Sequence, residues 1–254
     1  MTGAFLQGLL CLLPYRNIAL VAPVMLYLLI GIVRTALQAT GALRNPYMDG
    51  VVTQRTSPIF PDENGNQDKP ASQQLCTIQL AVRSNSPLGM LAPGFKEVGD
   101  YFTAMTKQLD KNAAESGYLG SSAWISAADR TTGSEFMSLV YFDSVESLHR
   151  FSHGALHTEA MEWWHRTAKK HEHIGIMHEV YNSPANNWEA VYLNYHPTGL
   201  GATRKQVTVD GEKVWMNPLV EAKGQLRYSK GRMNRGFSEK QEWPEFENAW
   251  SRYE

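Results

Sequence analysis

The chain has 254 residues, 43% hydrophobic and 19% charged, which suits one core domain with extensions. A formal net charge of -1 gives no general attraction to nucleic acid, and no helix-turn-helix, zinc-finger or RNP pattern is present, so nucleic acid is not an expected partner. Cys11 lies in an apolar segment and Cys76 in an expected strand; they form neither a disulfide framework nor a CxxC metal knuckle, and no Asn-x-Ser/Thr sequon occurs, so the folded part is expected in a reducing compartment.

Residues 1–44 read as a hydrophobic membrane anchor. From Met1 to Val33 the only charge is Arg16, and the runs Phe5–Pro14 and Ile18–Val33 flank a short polar break. The second run is slightly short of the roughly 20 residues that span a bilayer, so its flanks must help. The region before Leu6 has no Lys or Arg, which disfavours a cleaved signal peptide, and a buried helix or hairpin in a dimer core is the other competing reading. Arg34 and Arg44 follow with no acidic residue before Asp49, which places the downstream domain on the cytosolic side, at the endoplasmic reticulum in a eukaryotic cell. Membrane lipid is therefore an expected partner.

Residues 45–72, rich in Pro, Asn, Gln, Asp and Gly without hydrophobic period, read as a linker, with a domain over 73–198. Leu75–Val82 alternates at period two and predicts a strand. Phe95, Val98, Phe102, Met105, Leu109 and Ala113 form the stripe of a helix over 95–116, stopped by Gly117. Two strands follow, 119–127 and 135–142, joined by a turn-rich loop. Asp143 or Ser144 caps a helix that breaks near Gly154 and resumes to about residue 170. Ile174–Tyr181 is a fourth strand, and 190–195 is a candidate fifth. The order predicts an α+β fold, a ferredoxin-like βαββαβ domain with both helices on one sheet face. The bare face then calls for an apolar cover, most simply a second copy of the chain, so a homodimer is expected with its pocket between sheet and helices.

Residues 199–254 form a C-terminal extension. Asp210-Gly211 between alternating segments signals a hairpin, and residues 223–235 carry five basic and no acidic residues. That segment reads as a solvated tail, with contact to anionic lipid as the competing reading. Trp243, Phe246 and Trp250 are expected to dock on the domain.

Four of the eight histidines fall between Leu139 and Arg166. His149, His153 and His157 share a face only on an unbroken helix, and Gly154 divides them. With no HExxH and no Cys or carboxylate at ligand spacing, no metal site is expected. His171 and His173 read as solvent-facing residues at a helix end. His157 aligns instead with Met161, Trp164 and Ala168. A structural imidazole and a functional one remain open there: a neutral ring in a dry pocket can take a proton or ligate haem iron. Trp163 and Trp164 point about 100° apart, so at most one lines a cavity. No phosphate-binding loop, GxSxG or CxxCH occurs.

The block YFDSVESLHRFSHGALHTEAMEWW, with its flanking strands, resembles fungal and bacterial monooxygenase-like proteins of the dimeric α+β barrel superfamily, related to the antibiotic-biosynthesis monooxygenases. The likeness covers about residues 70–195. It implies a dimer that acts with O2 on an apolar polyketide, terpenoid or aromatic compound of secondary metabolism, using no flavin, metal or haem. The substrate is deprotonated to an electron-rich anion that itself reduces O2. On this reading His157 is the base and His153 the reserve base, with Trp124, Phe151, Met161 and Trp164 as substrate-binding walls. A haem-dependent aldoxime-dehydratase-like lyase and a non-redox isomerase or cyclase of the same fold are the alternatives.

Overall fold

A computed structural model describes residues 2–12, 14–127 and 134–236. The chain divides into two units, Met1–Val51 and Val52–Glu254. The first holds two helices, α1 (Thr2–Leu10) and α2 (Arg16–Ala39). Within α2, Asn17–Ala39 is long and apolar enough to cross a bilayer, and none of its most apolar window is buried. The helix runs past Val33, so Arg34 lies inside it rather than after it.

The second unit holds β1 (Thr56–Pro58), β2 (Leu75–Ser84), α3 (Phe95–Lys111), α4 (Ala113–Ser116), β3 (Tyr118–Ile125) and β4 (Glu135–Phe142). Then come α5 (Val145–Ser152), α6 (Ala155–Thr167), β5 (Ile174–Ser183), β6 (Lys205–Val209), β7 (Glu212–Met216), β8 (Leu219–Glu221) and α7 (Ser229–Arg232). The main sheet is ordered β3-β4-β2-β5 and its pairs are antiparallel. This is the strand order of a split βαβ, as the sequence predicts. The expected helix over 95–116 is interrupted at Asn112, and Gly117 ends α4 with φ 74°.

Residues directly opposite across antiparallel strands share a face. Cys76, Ile78, Val140 and Phe142 pack with Leu109 and Ala113 from α3 and α4 and Leu148 from α5, forming one core. The other face is not bare. Leu75, Leu119, Leu139 and Tyr141 lie under Phe60, Ala71, Trp188 and Leu200. Phe60 and Ala71 come from the stretch expected to be a linker, and Ile59 is buried there as well. Its prolines and glycines direct the chain rather than leave it unpacked. Residues 190–195 make no strand, only isolated bridges from Tyr192 to Thr56 and from Tyr195 to Val52.

The C-terminal extension is docked on this second face. Gly120, at a register shift in β3 with φ 148°, lets the chain pass so closely that an added Cβ would lie 3.1 Å from the Thr203 Cα. Arg204 N–H donates to the Leu119 carbonyl at 2.9 Å, and its guanidinium lies 4.7 Å from the Trp215 ring centre. The β6–β7 hairpin turns through Asp210 and Gly211, both at positive φ, as the Asp-Gly pair predicts.

The basic segment is not a solvated tail over its described part. Arg232 is buried, pairs with Glu189 and donates to the Leu226 and Arg227 carbonyls. The loop at 128–133 and the expected cluster of Trp243, Phe246 and Trp250 lie outside the described residues. A Gly120→Ala substitution adds a side chain where backbone passes backbone, and is expected to cost about 1–3 kcal/mol. An unchanged urea midpoint would contradict this close approach.

Candidate functional site

The block that carries the histidines is set by local rules. Ser144 caps α5, its Oγ accepting from the Ser147 N–H at 3.1 Å, while the Asp143 carboxylate accepts from the Ser147 hydroxyl at 2.6 Å. Gly154 is extended, with φ -68° and ψ 154°, and separates α5 from α6. The predicted break is therefore real. An added Cβ at Gly154 would lie 3.0 Å from the Phe151 carbonyl, so the turn is tight as well as extended.

His157, in the first turn of α6, has its ring 5.6 Å from that of Phe151, which in turn lies 6.1 Å from Phe142 of the helix-side core. The imidazole thus faces the sheet. Its Nδ1 is sealed from solvent without a hydrogen-bond partner, an arrangement rare enough to need an explanation. Burial pushes the His157 pKa below its ordinary value of 6.5, with the Ser152 backbone carbonyl opposing and the nearby His153 and His178 adding to the effect. The ring is accordingly neutral at neutral pH, the form a base requires.

His178 escaped the sequence reading. It sits opposite Leu80 on β2, so it shares the helix-side face with Ile78 and Val180. Only the period-two alternation of β5 could have flagged it, and the pairing register was needed to choose the side. Around it the packing is incomplete. No residue of α6 is buried, and Ile176 and Val180 on the helix side of β5 remain 45% and 43% exposed. Helix and edge strand therefore leave apolar surface uncovered on the side of the sheet that carries His178, which is near enough to His157 to help lower its pKa.

The other candidates separate. Phe151 packs beside His157. Met161 and Trp164 follow His157 at helical spacing along α6, and both stay partly exposed. Trp163 is taken up elsewhere, 5.6 Å from Tyr101 on α3 and stacked on His171 at 5.7 Å. His171 is thus not the solvent-facing residue expected, and His173 Nε2–H donates to the Pro93 carbonyl at 2.9 Å. His153 is exposed, and because a carbonyl only accepts, its Nδ1 must carry the proton donated to His149 at 2.7 Å.

Trp124 is misplaced by the sequence reading. It pairs with Met137, on the face opposite Val140 and Phe142, and so stands across the sheet from His157. Among the described residues, no group of three or more His, Cys, Asp or Glu is placed to hold a metal ion. A separate depression of about 430 Å³ is lined by Val52, Gln54, Thr56, Pro197, Asn217 and Leu219, with Glu221 at its edge. It holds no imidazole, and its carboxylate, Glu221, is paired with Lys223 at 2.7 Å.

Residues 75–200 match the family model described as monooxygenase af470-like. That span runs from the first residue of β2 past the end of β5. Monooxygenase af470 of Aspergillus fumigatus is 31% identical over 224 residues, covering 87% of this chain and 80% of the relative. Among solved structures, aldoxime dehydratase OxdRE in complex with butyraldoxime aligns with a TM-score of 0.43 at 15% identity, over 58% of this chain and 39% of that one. SnoaB, a cofactor-independent oxygenase from Streptomyces nogalater, aligns with a TM-score of 0.28 at 9% identity, over 43% and 91%. Family membership rests on the sequence relative.

The burial of His157 has a measurable sign. Its folded ring holds a proton less tightly than the unfolded one, so between its lowered pKa and 6.5 the unfolded chain binds more protons and stability falls on acidification. In an NMR titration, the His157 Cε1–H resonance is expected to titrate below 6.5, and a midpoint at or above that value would contradict the sealed geometry.

Proposed function

We propose, on the premise that the chain belongs to the monooxygenase af470-like family and is an enzyme of the monooxygenase class, that it oxygenates an apolar secondary metabolite in the groove beside His157. The observation that carries this reading is the neutral, half-buried imidazole against Phe151, with its Nδ1 sealed from solvent. The substrate is a polyketide, terpenoid or aromatic compound with a C–H or O–H acidic enough for imidazole to remove.

His157 Nε2 takes that proton, and the resulting anion is electron-rich enough to reduce O2 directly. For a CH2 beside a carbonyl, the carbon becomes C=O, one oxygen atom enters the product and the other leaves as water. The four electrons that reduce O2 come from the substrate, so no flavin, metal or haem is required. Phe151, Met161 and Trp164 supply apolar surface that excludes water, which keeps the base neutral and the anion reactive. His153 is the reserve base.

Two partners complete the reading. Trp124, Met177 and Tyr181 share the sheet face away from the helices and are 37%, 41% and 54% exposed, beyond the part that the extension covers. A second copy of the chain is their cover. Residues 17–39 attach the protein to a membrane, the endoplasmic reticulum in a eukaryotic cell, with the catalytic domain on the cytosolic side.

With its substrate, His157→Ala is expected to lower kcat by about 10²–10⁴-fold in an oxygen-uptake assay while the circular dichroism spectrum is retained. Full turnover by this variant together with loss in His153→Ala would move the base to His153. Full turnover by both would refute base catalysis by this block. Tyr181→Glu is expected to shift the protein from dimer to monomer in analytical ultracentrifugation, and a monomeric wild type would refute the dimer.

A further inference from the structure

We propose that His178 is the second polar group of the site: its imidazole donates a hydrogen bond to the substrate oxygen on which negative charge collects while His157 removes the proton. The inference rests on the base reading of His157. It narrows the substrate to a compound whose acidic hydrogen lies on the carbon beside a carbonyl or on a phenolic oxygen.

His178 occupies a position that a strand gives to core residues. It stands opposite Leu80 of β2, so it shares the helix-side face with Ile78, and its neighbours on that face of β5 are Ile176 and Val180. An imidazole there is a polar group set in the middle of an apolar strip. The strip is uncovered: Ile176, His178 and Val180 are all exposed, and no residue of α6 is buried. A position that only completed the core would hold a third aliphatic side chain, whereas ligand sites combine an apolar lining with a few placed polar groups.

His178 is also unengaged. The carboxylate next to it in sequence, Glu179, lies on the opposite face, across from Gln79, and accepts the Tyr181 hydroxyl. Among the described residues the His178 side chain has no hydrogen bond and no ion pair. Two other imidazoles lie near enough to His157 to lower its pKa, His153 and His178. His153 is tied through its Nδ1–H to the His149 carbonyl. His178 comes from the sheet instead, and its ring is free to meet a molecule lying against His157.

The chemistry calls for such a donor. Removal of a proton beside a carbonyl breaks the C–H bond, its electron pair becomes the C=C bond of an enolate, and the carbonyl π pair moves onto oxygen. A phenol that loses its proton leaves the same kind of oxygen anion. His157 is occupied with the transferred proton, so a donor aimed at the oxygen has to come from another group. Imidazole carries at least one N–H in its neutral and its charged form, so His178 can donate throughout the range in which His157 is a base.

The test needs no turnover. The full chain and its His178→Leu and His178→Gln variants are titrated with two chromogenic phenols, 4-nitrophenol and 4-nitro-1-naphthol, whose anions absorb at longer wavelength than their neutral forms. The Cε1–H resonances of His157 and His178 are followed in parallel by NMR. Bound to the unaltered protein, the phenols are expected to shift both resonances and to ionise about one to two pH units lower than in the Leu variant, the worth of a hydrogen bond to a charged group. The Gln variant keeps an N–H donor and is expected to restore most of that difference, which a merely structural role would not explain. The same ionisation pH in all three proteins, with His157 still shifted, would overturn the donor and leave the base reading standing. Phenols that shift His178 alone would overturn the shared site, and phenols that shift neither ring would overturn the base reading with it.

Discussion

Strand β2 runs between β4 and β5, hydrogen-bonded to both, and its side chains alternate between two different neighbourhoods. Cys76 and Ile78 meet the helices; Leu75, one residue away, meets the segments that flank the core in sequence. Because the side-chain period of a strand is two, a slip of one residue would exchange both sets at once. The same register assigns His178 to the side of His157 and Trp124 to the side away from it. The difference between the helix-side face and the face covered by the extension descends from this pairing.

Gly154 sets the second condition. A continuous helix would lay His149, His153 and His157 in one row, as a metal-binding helix does. The extended glycine ends α5 after one core-packed segment and starts α6 on a new path, along which no residue is fully buried. The cost is apolar surface left in water on α6 and β5. Sites that bind apolar ligands commonly carry such a deficit, because a groove filled by the protein's own side chains has no room for a substrate. The proposed base lies where this incomplete packing begins, close enough to the core to be desolvated.

The far face shows how an extension becomes part of a domain. Asn217 donates from its amide to the Gly201 and Thr203 carbonyls and accepts from the Leu219 N–H, so the helical turn at 199–202 and the start of β8 meet on one side chain. Glu189 and Arg232 close the next turn. These are long-range pairings of polar groups, and none leaves a periodic mark in the chain. A reading based on hydrophobic period therefore takes residues 45–72 for a linker and 223–235 for a tail, although Ile59, Phe60 and Arg232 are all buried.

Local chemistry made much of the fold legible. Alternation gave β2, β4 and β5, the three-and-four stripe gave α3, and Asp210-Gly211 gave the hairpin, since each signal depends only on neighbours in sequence. The alignment of His157 with Met161 and Trp164 followed from helical spacing and the Gly154 break, whereas the ring contact between His157 and Phe151 came from the structure. Trp124 failed, because the face a strand residue occupies depends on the register of its partner strands, and His171 failed, because its stacking on Trp163 joins two helix ends through Gly94. The sequence by itself determined which segments fold and which residue types could do acid–base chemistry, because these follow from side-chain period and functional group. Only the tertiary structure decided which imidazole is desolvated, which face is covered and which apolar surface stays exposed, because those depend on contacts between residues far apart in the chain.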